Sequence, residues 1–192
     1  ESLTDIFSLN DFKKMYSKIF GISENEVINN EQILKNLNLV SDFIKANTQY
    51  EWNATSEFKD IIKYLPRTFV EENFDKCSEL FNKNNIADLC LRLFDVEENQ
   101  EFDEEKTKGL LNFVKSTIDN NYDYENYFEK YDANKCWENI ISKLAEEFIK
   151  KNPEYIVTLL DKKIPNKSRE YFLQILPENI KERCLKPILP NL

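Results

Sequence analysis

Residues 134–151 read NKCWENIISKLAEEFIKK. Cys136, Trp137, Ile140, Ile141, Leu144, Phe148 and Ile149 return at three- and four-residue spacing with charged residues between them, which is the signature of a helix with one apolar face. Asp132 stands just ahead of the run, where a carboxylate can cap the first free N–H groups. The spacing therefore predicts a helix over about 134–151. Outward from this stretch the same period recurs in both directions. On the N-terminal side, Leu110, Leu111, Val114 and Ile118 predict a helix over about 104–119. Residues 68–94 carry two apolar faces around Asn82-Lys83-Asn84-Asn85. So short a connection makes them an antiparallel hairpin. Phe58, Ile61, Ile62 and Leu65 predict a helix capped by Thr55 or Ser56 and stopped by Pro66. Ile33 to Ile44 predict one over about 31–46, and residues 10–20 another, with Gly21 in the left-handed position that ends helices. Ser23-x-x-Glu26 reads as a capping box. On the C-terminal side Pro153 sits at a first helical position, and Ser168 and Pro177 mark two more starts.

No stretch shows the two-residue alternation of a strand. The expectation is an all-α fold without sheet, with eight to ten helices in a compact bundle or a short array of antiparallel α-hairpins. Residues 1–192 read as one helical domain, and the acidic stretch at 95–105 is the place where it could divide.

Composition removes many functions. The 192 residues are 41% hydrophobic, which is globular. There is no His, so Ser-His-Asp and Cys-His nucleophiles, His bases and His-ligated metals are excluded. With glycine only at 21 and 109, no Gly-rich phosphate loop exists. No apolar run reaches the ~18 residues of a membrane-spanning helix, and residues 1–5 lack the layout of a signal peptide. Net charge is −9, unevenly spread: residues 150–192 hold nine Lys/Arg against five Asp/Glu, and the excess acid lies before them. An acidic surface repels nucleic acid and anionic lipid and suits a basic protein.

Cys77, Cys90, Cys136 and Cys184 form no CxxC pair and fall on apolar helix faces. They read as buried, reduced thiols of a cytoplasmic protein. A calcium loop starting at Asp119 fails at Tyr124 and Lys130, where Gly and an acid are needed. Glu101-x-x-Glu104 with Glu129-x-x-Asp132 has the form of the carboxylate motif of all-helical, Mg²⁺-dependent nucleotide pyrophosphohydrolases. Acid pairs of this spacing are, however, frequent by chance in so acidic a chain.

Two features point to protein binding. Residues 95–105 are the densest acidic stretch, and Tyr122, Tyr124, Tyr127, Phe128 and Tyr131 crowd into ten residues interleaved with Asp and Glu. Aromatic edges and carboxylates together suit Arg and Lys side chains through cation–π contact and charge pairing. The expected site is Glu97, Glu98, Glu101, Asp103, Glu104, Tyr122, Tyr124, Tyr127 and Tyr131. The expected function is a non-enzymatic interaction module of inhibitor, immunity-protein or adaptor type, without metal or cofactor, that binds a basic protein. The alternatives are the pyrophosphohydrolase and, from the start without Met, a helical domain of a larger scaffold protein.

Overall fold

The computed structural model describes residues 29–47, 51–95, 103–160 and 165–185. The helix expected over 10–20, the capping box at Ser23, and Glu97, Glu98 and Glu101 lie outside the described residues. What is described is all-α: eleven α-helices, one 3₁₀ turn and no strand among the described residues. The chain divides into two compact units, 1–101 and 102–192.

The first unit contains α1 (Asn30–Asn47), α2 (Glu51–Tyr64), α3 (Arg67–Glu72), α4 (Phe74–Leu80), a 3₁₀ turn (Lys83–Asn85) and α5 (Ile86–Leu93). α1 starts at a cap: the Asn29 side chain accepts the Gln32 N–H at 2.8 Å. Its Ile33, Leu37, Val40, Phe43 and Ile44 stripe is buried, as the spacing demands. α2 begins ahead of the expected cap, because Thr55 serves a different purpose. Its hydroxyl accepts from the Asn82 amide at 3.0 Å and its carbonyl from the Asn85 amide at 3.0 Å, so it ties α2 to the hairpin turn. Pro66 ends α2, and Arg92 Nε donates to the Leu65 carbonyl at that end at 2.8 Å. The first arm of the hairpin is broken at Asn73 (φ −126°, ψ 27°), whose N–H and side-chain amide both bond to the Phe69 carbonyl. α5 packs against α2, α3 and α4, while α1 packs on α2 and α4. The core includes Phe58, Ile61, Leu65, Phe69, Leu89 and Leu93, with the Phe58 and Phe81 rings 5.1 Å apart.

The second unit contains α6 (Glu104–Asn121), α7 (Tyr127–Lys143), α8 (Glu146–Lys151), α9 (Pro153–Leu159), α10 (Asn166–Ile175) and α11 (Glu178–Leu185). The helix expected over 134–151 is therefore two. It starts earlier, at Tyr127, so Asp132 lies inside it and caps nothing. It breaks at Leu144 and Ala145, both of extended backbone (ψ 131° and 136°). The break lets Leu144 and Ile149 both reach the core. α10 packs on α7 and α8, and α9 on α8 and α11. Trp137, Ile140, Ile141, Ile156, Phe172 and Ile180 are buried. Pro153 occupies the start of α9 as expected, and α10 starts two residues before Ser168.

Cys77, Cys90 and Cys136 are free, buried thiols. Burial pushes the Cys77 thiol up to about 12. Among the described residues no helix is long and apolar enough to cross a membrane.

Candidate functional site

The turn between α6 and α7 is built from its own polar side chains. Tyr122 closes α6, its N–H bonded to the Ile118 carbonyl at 3.0 Å. Asp123 then makes an Asx turn, its carboxylate accepting the Glu125 N–H at 2.9 Å. Asn126 caps α7, its side-chain oxygen accepting from the N–H groups of Phe128 at 3.0 Å and Glu129 at 3.4 Å. Glu129 reaches back past the cap to accept the Asp123 N–H at 2.7 Å. These bonds fix the direction in which α7 leaves the turn.

The consequence is a cluster of aromatic rings held in solvent. Tyr127 and Phe128 are each 76% exposed and Tyr131 is 55% exposed. The Tyr127 and Phe128 rings meet edge to face at 5.6 Å. Lys135 Nζ stands 5.8 Å over the Tyr131 ring, so one ring face already holds a cation. Exposed Asp123 and Glu125 border the cluster on the turn, and Glu129 and Asp132 follow along the helix. Only Lys130 and Lys135 oppose those four acids within 122–135.

The other expected site residues separate from this cluster. Tyr122 is 5% exposed and belongs to the core of the second unit, so it offers no surface to a partner. Tyr124 precedes α7, where helical spacing does not apply; it is half-buried with its hydroxyl inside. Asp103 is exposed, but its carboxylate is the cap of α6, accepting the Lys106 N–H at 2.7 Å. Glu104 pairs with Lys108 at 2.6 Å, and the hydrogen bond from Lys108 lowers its carboxyl from the ordinary value.

Distance then decides which of these can act together. α6 has 18 residues, a length of ~27 Å at 1.5 Å per residue. Asp103 and Glu104 stand at its start, Glu104 beside Lys151 and Asn152. Glu129, bonded to Asp123, holds the first turn of α7 at its other end. The aromatic segment does not fold back along α6, so the acidic start of α6 and the rings do not make one face. The same separation parts Glu104 from Glu129, two members of the proposed carboxylate motif. Among the described residues no group of three or more acids or thiols is placed to hold a metal ion.

Phe128 was absent from the expected site although it is as exposed as Tyr127. The signal was present: Asn126-x-x-Glu129 is a capping pattern, and reading it would have started the helix at Tyr127 with its first two residues aromatic. The chain matches no protein-family model, no curated protein and no solved structure at a significant level.

Proposed function

We propose that the second unit is a non-enzymatic protein-binding module, which seats a basic segment of another protein on the aromatic start of α7. One observation carries this: Tyr127, Phe128 and Tyr131 are large, adjacent and solvent-exposed, with Asp123, Glu125 and Asp132 around them. Isolated exposed aromatics are common, but in a contiguous group on a turn whose backbone is already fixed only the ring rotamers remain to be ordered on binding. Burying ~100 Å² of each ring would contribute roughly 7 kcal/mol, which is comparable to the cost of association and leaves little over. The carboxylates must therefore supply selectivity and encounter rate, and this favours Arg- or Lys-rich partners. Use as an inhibitor, immunity protein or adaptor fits such a rigid face, and buried thiols suit a reducing compartment such as the cytoplasm.

The reading is tested by panning the whole chain against peptide pools that differ only in charge. Enrichment of basic peptides is expected, and the double variant Tyr127→Ala, Phe128→Ala should lose about tenfold or more in affinity with its circular dichroism unchanged. Equal recovery of acidic and basic peptides, or recovery unaffected by that variant, would refute it.

A further inference from the structure

Lys135 Nζ lies 5.8 Å over the Tyr131 ring, four residues back along α7. Helical side chains lean toward the N-terminus, so a lysine at that spacing covers the ring one turn before it. Asp132 and Glu138 stand three residues to either side of Lys135, a spacing that favours ion pairs on a helix. It joins neither. Glu138 pairs with Lys167 at 3.4 Å, and among the described residues the Lys135 ammonium has no ion pair or hydrogen bond, only the ring. Both members of the pair are at the surface, Tyr131 with 55% of its area exposed. An accessible ring of the binding face therefore already holds the kind of group that the acids around it attract.

Position along the helix decides which ring can take a cation. The start of a helix carries partial positive charge, felt within its first turn. Tyr127 and Phe128 are the first two residues of α7, so a cation over either meets that charge. Tyr131 is the fifth, one turn further in, with Asp132 next in the chain. Tyr127 and Phe128 also spend part of their ring surface on each other, edge to face at 5.6 Å. Those two rings suit the apolar part of a partner, and Tyr131 suits its cation.

The seat is taken in the free protein, and whatever displaces its occupant must bind the ring better than an ammonium does. A partner's lysine would only repeat the contact that Lys135 makes, without the advantage of being tethered. A guanidinium is flat, stacks on an aromatic face and is more weakly hydrated. We infer that Tyr131 is the cation seat of the binding face, that Lys135 fills it as an internal competitor, and that the group which displaces Lys135 is an arginine side chain of the partner. The inference rests on the reading of the face proposed above and adds its anchor and its competitor. A partner's affinity is reduced by the fraction of time that the seat is open, and an exposed cation–π contact of ordinary strength makes that reduction about two- to fivefold.

Fluorescence-anisotropy titration of the full chain into labelled tetra-arginine and tetra-lysine amides, at low and fixed ionic strength, tests it. Tetra-arginine should bind the parent about twofold or more tighter than tetra-lysine, and Tyr131→Leu should remove that preference. Lys135→Ala empties the seat, whereas Lys130→Ala removes an equal charge one residue from the ring without emptying it. Lys135→Ala should accordingly tighten tetra-arginine binding by about twofold or more beyond Lys130→Ala, and in a Tyr131→Leu background the two substitutions should act alike. In NMR spectra of the free chain the Lys135 ε-methylene protons should resonate upfield, shifted by the ring, and return to the ordinary lysine position when tetra-arginine saturates the face. Equal effects of Lys135→Ala and Lys130→Ala in the parent, no preference for arginine, or ε-protons still upfield at saturation would overturn the inference and leave the face intact. Binding to neither the parent nor Lys135→Ala would refute the face itself, and the seat with it.

Discussion

The first unit and the turn that opens α7 in the second use polar side chains in opposite ways. In the first, they join segments far apart in sequence: Ser41 bonds the Leu80 carbonyl, Asn82 and Asn85 bond Thr55, Arg92 bonds Leu65, and Asn30 bonds Glu72. In the second, the polar residues around the start of α7 bond to neighbours within six residues. The first arrangement locks helices together. The second fixes one turn in place and leaves large rings outside. A surface built for binding thus differs from one built for packing in where its hydrogen bonds go, more than in its composition.

That contrast orders the expected effects of mutation. Trp137 is fully buried on α7, so Trp137→Ala should destabilise the chain by about 3–5 kcal/mol in urea denaturation. A smaller loss would mean that the second unit is less tightly packed than its burial indicates. In the first unit Asn85→Ala removes the amide that satisfies the buried turn against Thr55, and should cost about 1–3 kcal/mol. A negligible change would break the claim that polar cross-links organise that unit. Next comes Asn126→Ala, which deletes the cap of α7 and should cost about 1 kcal/mol. It should also weaken basic-peptide binding, because the rings lose their fixed direction; retained affinity would separate the cap from the face. The smallest effect belongs to Tyr127→Ala and Phe128→Ala, each expected within about 0.5 kcal/mol of the parent, as for other surface substitutions. If either matched Trp137→Ala in cost, the rings would be core.

Some of this is legible in the sequence alone. Pro66 and Pro153 act where local chemistry says they must, and the apolar stripes of α1, α5 and α6 are the buried ones. The helix breaks at Asn73 and at Leu144-Ala145 were not legible, since none of those residues forbids a helix. They bend because the apolar residues on either side reach the core better from two short helices than from one straight one. The expected site is legible only in part: Tyr127 and Tyr131 are exposed and Tyr122 is core, Glu97, Glu98 and Glu101 lie outside the described residues, and the 18-residue α6 stands between Glu104 and the rings.

The buried thiols give the chain a built-in clock for its own opening. Cys77 stays protonated while the first unit is folded, its thiol held up to about 12, so a thiol reagent at pH 8 must wait for that unit to open. Cys136 times the second unit in the same way, from the buried face of α7. With Cys90→Ala and Cys184→Ser as background and one of Cys77 and Cys136 retained at a time, labelling rates at increasing urea would read the opening free energy of each half separately. Coincident rates across the series would reveal a single cooperative fold; divergent ones would reveal two that unfold on separate schedules.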